Sequence, residues 1–169
     1  MAGDVRGENM KAILSLFPGP PDELVLREIK SPKPEPNQVI VRVMACGVNY
    51  LDALIIQDLY QHKPTRPFSP GGDIAGIVKE AGAAAHKFKV GDEVFGQIPF
   101  GGFAEEAAVD EALLFHKPAG VGFKEASSFL MVYSTVFHGL KDRAGIRPGE
   151  TVVVLGAAGG IGLAAVELG

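Results

Sequence analysis

The most chemically informative stretch is a cluster of four glycines that separates two apolar segments near residue 160. Residues 151–155 form a short β-branched run without polar alternation, which predicts a strand covered on both faces. A short apolar helix is predicted to follow from Ile161. The glycines between the two segments are Gly156, Gly159, Gly160 and Gly162. This arrangement suits a pyrophosphate, because unpaired N–H groups and the dipole at a helix N-terminus favour an anion.

The glycine cluster alone leaves two interpretations open. A dinucleotide fingerprint of the form G-x-G-x-x-G that ends at Gly162 needs glycine at position 157, where this chain has Ala157. Gly159 would still let the backbone approach a diphosphate, and Gly162 would let the helix pack on the strand. An ordinary strand-to-helix turn that binds nothing is the alternative.

A second group of polar residues lies near position 50. Residues 49–58 have leucine and isoleucine at helical spacing, with Asn49 placed as the N-cap and Asp52 in the first turn. Cys46 is the only cysteine, which excludes internal disulfides and a cysteine-rich zinc site, and we expect it to be a buried small apolar side chain. The four histidines have no ligand spacing and are expected on the surface or in the core: His62, His86, His116 and His138.

The composition is typical of a soluble globular protein. The chain has 169 residues, of which 47% are hydrophobic and 21% charged, and its net charge is −4. This acidic balance argues against nucleic acid or an acidic membrane as the main partner. No apolar run approaches the ~20 residues of a membrane span, and residues 1–9 are expected to be a disordered extension rather than a secretion signal. A cytoplasmic location is expected.

The apolar pattern divides the chain into two units. Strands separated by turns rich in glycine and proline are predicted at 10–17, 23–29, 38–46, 73–80, 93–97, 103–109 and 113–116. Their rhythm predicts a curled antiparallel sheet or barrel over residues 10–125. Residues 126–169 are predicted to begin an α/β unit, with helix from about Lys124 and then the 151–155 strand.

Five segments in this order make the chain resemble the medium-chain dehydrogenase/reductase superfamily, and within it the zinc-independent quinone-oxidoreductase-like branch. They are ACGVNYLDALIIQDLY (45–60), SPGGDIAGIV (69–78), KVGDEVFG (89–96), STVFHGL (134–140) and GETVVVLGAAGGIGLAAVELG (149–169). The resemblance implies a β-rich GroES-like partly open barrel, which is the catalytic domain. The first β–α unit of a Rossmann α/β domain, truncated in this chain, would follow it, with the active site in the cleft between the domains.

The resemblance also implies chemistry without zinc. Alcohol-dehydrogenase-like members bind a catalytic zinc through a cysteine and a histidine, and the matching positions here are Asn49 and Gly72. Asp73 matches the acid that follows that histidine, and the third ligand would fall near Met131. An amide, a glycine and a thioether are not a ligand set for Zn²⁺.

The family implies an NAD(P)H-dependent oxidoreductase that delivers hydride to a quinone or an α,β-unsaturated carbonyl, with NADPH as cofactor and NADH as the alternative. Without zinc, hydrogen-bond donors must polarise the substrate carbonyl. Asn49, Asp52 and Tyr60 match the family's Asn-x-x-Asp…Tyr pattern. We therefore assign Asn49 and Tyr60 to orienting the nicotinamide or the substrate, with Tyr60 as a donor. The structural alternatives are a helix cap for Asn49 and a half-buried core phenol for Tyr60, while Asp52 is expected to be structural.

The cofactor-binding residues implied by the resemblance lie in two segments. Thr135 matches a threonine that packs beside the nicotinamide ring, and its alternative is a helix hydroxyl bonded to a backbone carbonyl. The family's G-A-A-G-G-x-G turn carries alanine at the position of Ala157, so the broken fingerprint is expected. The turn residues implied to contact the cofactor are Ala157, Ala158, Gly159, Gly160, Ile161 and Gly162.

Two other functions remain open. One is an enoyl-thioester reductase, which uses the same two domains and a tyrosine donor. The other is a non-catalytic chain, either a truncated product or an interaction scaffold. We expect the 169-residue chain alone to bind NADPH weakly and to reduce no quinone. Only the first strand and helix of the Rossmann unit are present, and helices shorter than ~12–15 residues are marginal in water. A full-length form is compatible with a homo-oligomer.

Overall fold

The structure, a computed structural model, describes residues 9–169, and its strands are all antiparallel and lie in the first two thirds of that range. The strands are β1 (Asn9–Leu14), β2 (Val25–Lys30), β3 (Gln38–Gly47), β4 (Asp73–Ala81), β5 (Glu93–Gln97), β6 (Glu106–Asp110) and β7 (Leu114–His116). The α-helices are α1 (Tyr50–Ile56), α2 (Phe123–Ala126), α3 (Leu130–Phe137) and α4 (Gly160–Leu168), and a π-helical segment, His138–Ala144, follows α3. The helix predicted from Lys124 is therefore present as three consecutive pieces.

Five strands form one antiparallel sheet in the order β6-β3-β4-β5-β7, and β1 pairs with β2 in a separate hairpin. No ladder joins the edge strands β6 and β7 within residues 9–169, so the sheet is open rather than a closed barrel. Two register shifts interrupt the pairing of β3 with β4, and such irregularities bend a strand. The expected partly open GroES-like barrel is confirmed.

The core of this sheet is aliphatic and draws on all five strands. Val39 and Val41 of β3, Ile74 of β4 and Val94 of β5 are each 0% exposed. Val109 of β6 and Leu114 of β7 belong to the same cluster. Each such side chain contributes about 1.5–3 kcal/mol when it is fully buried. Burial of these β-branched residues explains why the strand predictions for this half of the chain are correct.

A smaller apolar cluster holds α1 in place. Ile55 and Ile56 of α1 are buried against Phe68, which lies in the irregular loop predicted between α1 and β4. Phe68 is tied to the chain after β1 by a hydrogen bond from the Ser15 N–H to its carbonyl oxygen at 2.9 Å. The hairpin, the loop and α1 therefore fix one another, and they fix the residues on either side of α1.

The strand predicted at residues 151–155 is wrong for this structure. These residues lie in coil and turn, and the side chains of Val153 and Leu155 are 79% and 91% exposed. A strand needs a neighbour that completes its hydrogen bonds, and no strand within residues 9–169 lies beside this segment. The helix predicted after the glycines is confirmed as α4, which packs on α3 with the Tyr133 hydroxyl hydrogen-bonded to Glu167.

The expected disordered extension at residues 1–9 lies outside the described residues except for Asn9, which is the first residue of β1. No helix in the described range has both the length and the apolar character that crossing a bilayer requires.

We expect core and exposed apolar residues to respond differently to truncation. Ile74→Ala should lower the free energy of unfolding by about 2–5 kcal/mol, because it leaves a cavity at a fully buried site. Val153→Ala should change it by less than about 0.5 kcal/mol, because that side chain is largely in solvent. Urea denaturation monitored by circular dichroism measures both values. A large loss for Val153→Ala would show that residues 151–155 are packed after all.

Candidate active site

A cavity of about 300 Å³ lies where α1, the loop after it, the ends of β4 and β5, and α3 meet. Its walls include Leu51 and Ile55 of α1 together with Ile98 and Pro99 beyond β5, and most of the lining is apolar. The polar or chemically distinct residues around it are Asn49, Asp52, Tyr60, His62, Gln97 and Met131. Asn49 and Tyr60, assigned together from the sequence, are thus brought to one cavity.

The N-terminus of α1 presents Asn49 to this cavity. Asn49 has extended backbone and precedes the first helical residue, as predicted for an N-cap. Asp52 at the third helical position accepts the Asn49 N–H at 2.8 Å, and the Asn49 side chain faces the Asp52 N–H, which makes a capping box. Burial raises the pKa of Asp52, while the N–H groups of Asn49 and Gly71 lower it. The structural role expected for Asp52 is borne out by these contacts.

Asn49 is also held from behind by Asp73, the first residue of β4. The Asn49 Nδ2 donates to the Asp73 Oδ2 at 3.1 Å, and Asp73 is only 1% exposed. The Asp73 backbone is paired with Gly47 of β3 on one side and with Gln97 of β5 on the other. Asn49 is therefore attached both to α1 and to the centre of the sheet.

Burial raises the pKa of Asp73 to about 6, with hydrogen bonding from Asn49 and the Met131 N–H opposing the rise and the charge on Asp52 adding to it. Its Oδ1 is buried without a hydrogen-bond partner among the described residues. Burial, together with the charges on Asp52 and Asp73, raises the pKa of Cys46 to about 12. Cys46 is therefore a thiol at neutral pH, as expected for a small apolar side chain, and not a nucleophile.

Tyr60 lies at the cavity with its ring packed on the cluster of Ile55, Ile56 and Phe68. Its hydroxyl oxygen accepts a hydrogen bond from the Gln61 Nε2 at 3.3 Å. The phenolic O–H remains able to donate, because accepting a hydrogen bond does not use the hydroxyl proton. The half-buried phenol foreseen as a structural alternative is present, and its position is compatible with the donor role as well.

The three positions that match zinc ligands in alcohol-dehydrogenase-like members, Asn49, Gly72 and Met131, all line this cavity. The residues present do not fit a zinc ion. A Cβ at Gly72 would lie 2.9 Å from the Ile98 carbonyl oxygen, so the backbone leaves no room for a side chain there. The Met131 Sδ accepts a hydrogen bond from the Gln97 Nε2 at 3.4 Å. No group of three His, Cys, Asp or Glu residues within residues 9–169 is arranged to hold a metal.

Sequence reasoning missed two residues at this cavity, His62 and Gln97. The His62 ring stacks on Phe100 with centroids 5.9 Å apart and lies at the cavity with Tyr60. The spacing of the histidines did not indicate a site role for His62, because His62 belongs to no metal-ligand pattern. The sequence feature that could have indicated it is its position two residues after Tyr60. Gln97 ends β5 beside Asp73, a pairing that only the strand register reveals.

The predicted cofactor residues form a separate group at the N-terminus of α4. Gly159 is the N-cap, no side chain caps the helix, and Gly156 has a left-handed φ of 74°. A Cβ at Gly162 would lie 2.2 Å from the Gly156 carbonyl oxygen, so that position requires glycine. The other residues of this turn are Ala157, Ala158, Gly160 and Ile161. No side chain caps the first-turn N–H groups of this helix, and N–H groups at a helix N-terminus can bind an anion.

Thr135 lies in α3, one turn after Met131, and does not line the cavity. Its Oγ1 donates to the Met131 carbonyl oxygen at 2.6 Å, which is the structural alternative named for it. A contact with nicotinamide stays a prediction for this residue.

Comparison with known proteins agrees with this geometry. Residues 35–119, which run from before β3 to beyond β7, match the model of the alcohol dehydrogenase GroES-like domain. The chain belongs to this family. The resemblance to the medium-chain dehydrogenase/reductase superfamily and its quinone-oxidoreductase-like branch is confirmed by the relatives of this GroES-like chain.

Three relatives of the GroES-like chain illustrate the match. Human quinone oxidoreductase is 37% identical over 161 residues, which cover 94% of this chain and 49% of that protein. The quinone oxidoreductase from Thermus thermophilus, solved also as a complex with NADPH, has a TM-score of 0.82 and 35% identity over 94% of this chain and 49% of its own. The CurK enoyl reductase has a TM-score of 0.84 and 29% identity over 94% and 50% of the two chains. The chain spans about half the length of the curated relatives it matches.

We expect Gly72→Ala to lower the free energy of unfolding by about 1–3 kcal/mol, because the new Cβ would clash with a backbone oxygen of Ile98. The Ile98 N–H donates to the Gly72 carbonyl at 2.7 Å, so neither backbone can move without breaking that bond. The matched control is Gly139→Ala, since a Cβ at Gly139 meets nothing within 4 Å and alanine favours helix by about 1 kcal/mol. Equal stability of the two variants in urea denaturation would contradict this geometry.

Asp73 should make the folded state lose stability as the pH rises. Because its pKa is raised from 3.8 to about 6, the folded protein binds a proton more tightly than the unfolded chain. The protonated Asp73 carboxyl contributes fully to stability below pH 4, and this contribution is lost as the pH rises through about 6. The free energy of unfolding should therefore fall by roughly 2 kcal/mol between pH 4 and pH 7. In Asp73→Asn, the free energy of unfolding should lack this fall, which urea denaturation curves recorded at several pH values will measure.

Asp22→Asn, at an exposed site, is the control for this comparison. Parallel pH profiles for Asp73→Asn and the unsubstituted protein would show that Asp73 is not the group responsible.

Proposed function

We propose that the protein containing this chain is an NAD(P)H-dependent oxidoreductase that needs no zinc and reduces a quinone or an α,β-unsaturated carbonyl. NADPH is the proposed cofactor and NADH the alternative. The observation that carries the proposal is the meeting of the Asn49 amide and the Tyr60 phenol at one largely apolar cavity, beside the positions of Gly72 and Met131. One donor, Asn49, thus stands at a position where zinc-dependent members of the superfamily have a metal ligand.

The cavity has the character that this chemistry needs. A conjugated carbonyl is planar and apolar over most of its surface, which suits walls formed by Leu51, Ile55, Ile98 and Pro99. When hydride adds to the conjugated system, negative charge develops on the carbonyl oxygen. Fixed hydrogen-bond donors in a site with little water stabilise that charge. Conjugation spreads the charge, so the substrate class is one that neutral donors can activate.

Tyr60 and Asn49 have distinct proposed roles. The Tyr60 O–H donates to the developing oxyanion, while its own oxygen is held by Gln61. The Asn49 amide orients the carbonyl or the nicotinamide through its remaining hydrogen-bonding positions. NADPH, when bound, supplies the hydride.

The turn before α4 supports the choice of a dinucleotide. Gly159 leaves the helix N-terminus open to close approach, Gly162 lets the turn pack closely against the helix, and Ala157 and Ala158 have small side chains. We propose that this turn binds the diphosphate and that Thr135 lies near the nicotinamide. The NADPH complex of the Thermus thermophilus relative supports NADPH as the cofactor to test first.

An enoyl-thioester reductase is the second candidate, favoured by Tyr60 as a donor and by the structural match to the CurK enoyl reductase. The two reactions share their hydride donor and differ in the group attached to the carbonyl. A panel containing a benzoquinone, an enal and an enoyl thioester, each with NADPH and with NADH, separates them. A preference for the thioester would replace the quinone assignment.

A non-catalytic role for the 169-residue chain is the alternative of another class. Isothermal titration with NADPH and a quinone-dependent oxidation assay distinguish it from an enzyme. Weak binding and no turnover by this chain, with turnover by a longer product of the same gene, would assign the activity to the longer protein.

We expect Tyr60→Phe in the longer active protein to lower kcat by about 10²-fold, because one donor to the oxyanion is removed. Tyr50→Phe is the matched control, since Tyr50 is 80% exposed and does not line the cavity. NADPH oxidation measured with a quinone gives kcat for both variants. An unchanged kcat for Tyr60→Phe would remove Tyr60 from the mechanism, and activity lost on chelation and restored by Zn²⁺ would overturn the metal-free proposal.

A further inference from the structure

The proposed chemistry does not use Asp73, although this buried acid lies directly behind Asn49. Asp73 is 1% exposed and is not part of the cavity wall. Its Oδ2 accepts the Asn49 amide at 3.1 Å, whereas its Oδ1 has no hydrogen-bond partner among the described residues. Burial of a carboxylate with an unpaired oxygen costs free energy. This suggests that Asp73 is present for the site rather than for stability.

The Asp73 carboxylate determines which end of the Asn49 amide faces the sheet. In its ionised form it only accepts hydrogen bonds, so it binds the amide NH₂ and excludes the amide oxygen. The Asp52 N–H at the start of α1 donates to the Asn49 main-chain carbonyl oxygen at 3.0 Å. A flipped amide would set its oxygen against the carboxylate, so one orientation is strongly favoured. That orientation leaves the second amide N–H free of Asp73.

Asp73 is rigid enough to impose that orientation. Its backbone is paired on both sides, with Gly47 in β3 and with Gln97 in β5, at the centre of the sheet. Asn49 cannot tilt away with α1, because Ile55 and Ile56 of that helix are buried against Phe68. The Asn49 amide is therefore held in a fixed position relative to both β4 and α1.

We propose that Asp73 is a positioning residue that fixes the orientation of the Asn49 amide, so that its remaining N–H is directed to a carbonyl oxygen in the cavity. The inference rests on the proposed function for the identity of that carbonyl. The arrangement of Asn49 and Asp73 does not depend on it. Asp73 touches neither substrate nor cofactor and acts only through Asn49.

A double-mutant cycle tests this directly in the longer active protein. Asp73→Asn keeps the size but provides both a donor and an acceptor, so Asn49 is no longer held in one orientation. We expect kcat to fall about 10-fold, which is the effect of one misdirected hydrogen bond. In an Asn49→Ala background, Asp73→Asn should change kcat less than about 2-fold. A 10-fold loss in both backgrounds would overturn the proposal, because Asp73 would then act independently of Asn49.

A measurement on the unsubstituted protein covers the case in which Asp73→Asn does not fold or no carbonyl substrate is found. In ¹⁵N,¹³C-labelled protein, the NH₂ group of Asn49, identified by its loss in Asn49→Ala, should have one proton that exchanges slowly with solvent, because that proton is donated to Asp73. It should also show a scalar coupling across the hydrogen bond to the Asp73 carboxyl carbon. Exchange as fast as that of an exposed side-chain amide, without that coupling, would overturn the positioning role, whatever the enzyme assays show. Asp22→Asn, at an exposed site, should leave these signals unchanged.

Discussion

The hydrogen bond between Asn49 and Asp73 joins the helical and the β-sheet parts of the site, and the arrangement of the cavity depends on it. Asp73 begins the central strand β4, whereas Asn49 begins α1, and a long loop separates them in sequence. The aliphatic core fixes β4, and the cluster around Phe68 fixes α1. These two apolar clusters hold the sheet and the helix in place. The hydrogen bond between Asn49 and Asp73 sets how the polar residues at the start of α1 face the start of β4.

The sequence predicts the fold best where burial is local and repetitive. Val39, Ile40 and Val41 are all buried, and a short continuous run of buried β-branched residues favours a strand. The N-cap at Asn49 follows from hydrogen bonding within four residues. The strand predicted at 151–155 fails because a strand depends on a neighbour, and propensity cannot supply one. His62 and Gln97 could not be predicted as site residues, since only the loop path and the strand register bring them to Asn49.

Gly72 shows how the backbone itself excludes a metal ligand from this cavity. The chain passes so close to the Ile98 carbonyl that no side chain fits at this position. Replacing Gly72 by histidine would therefore not create a metal site, because the main chain leaves no room for the ring. The proposed activation of a carbonyl by neutral donors agrees with this geometry. The reaction class proposed for the cavity is limited to substrates whose charge can be delocalised.

The exposed apolar side chains of Val153 and Leu155 have a consequence for how this polypeptide behaves in solution. Extended β-branched segments outside any ladder resemble the edges that folded proteins normally cover or charge. Such a segment can recruit another extended chain, because pairing completes the backbone hydrogen bonds of both. We therefore expect the exposed side chains of this segment to favour self-association as the concentration of the polypeptide rises. The extent of this association would depend on whether another polypeptide segment covers residues 151–155.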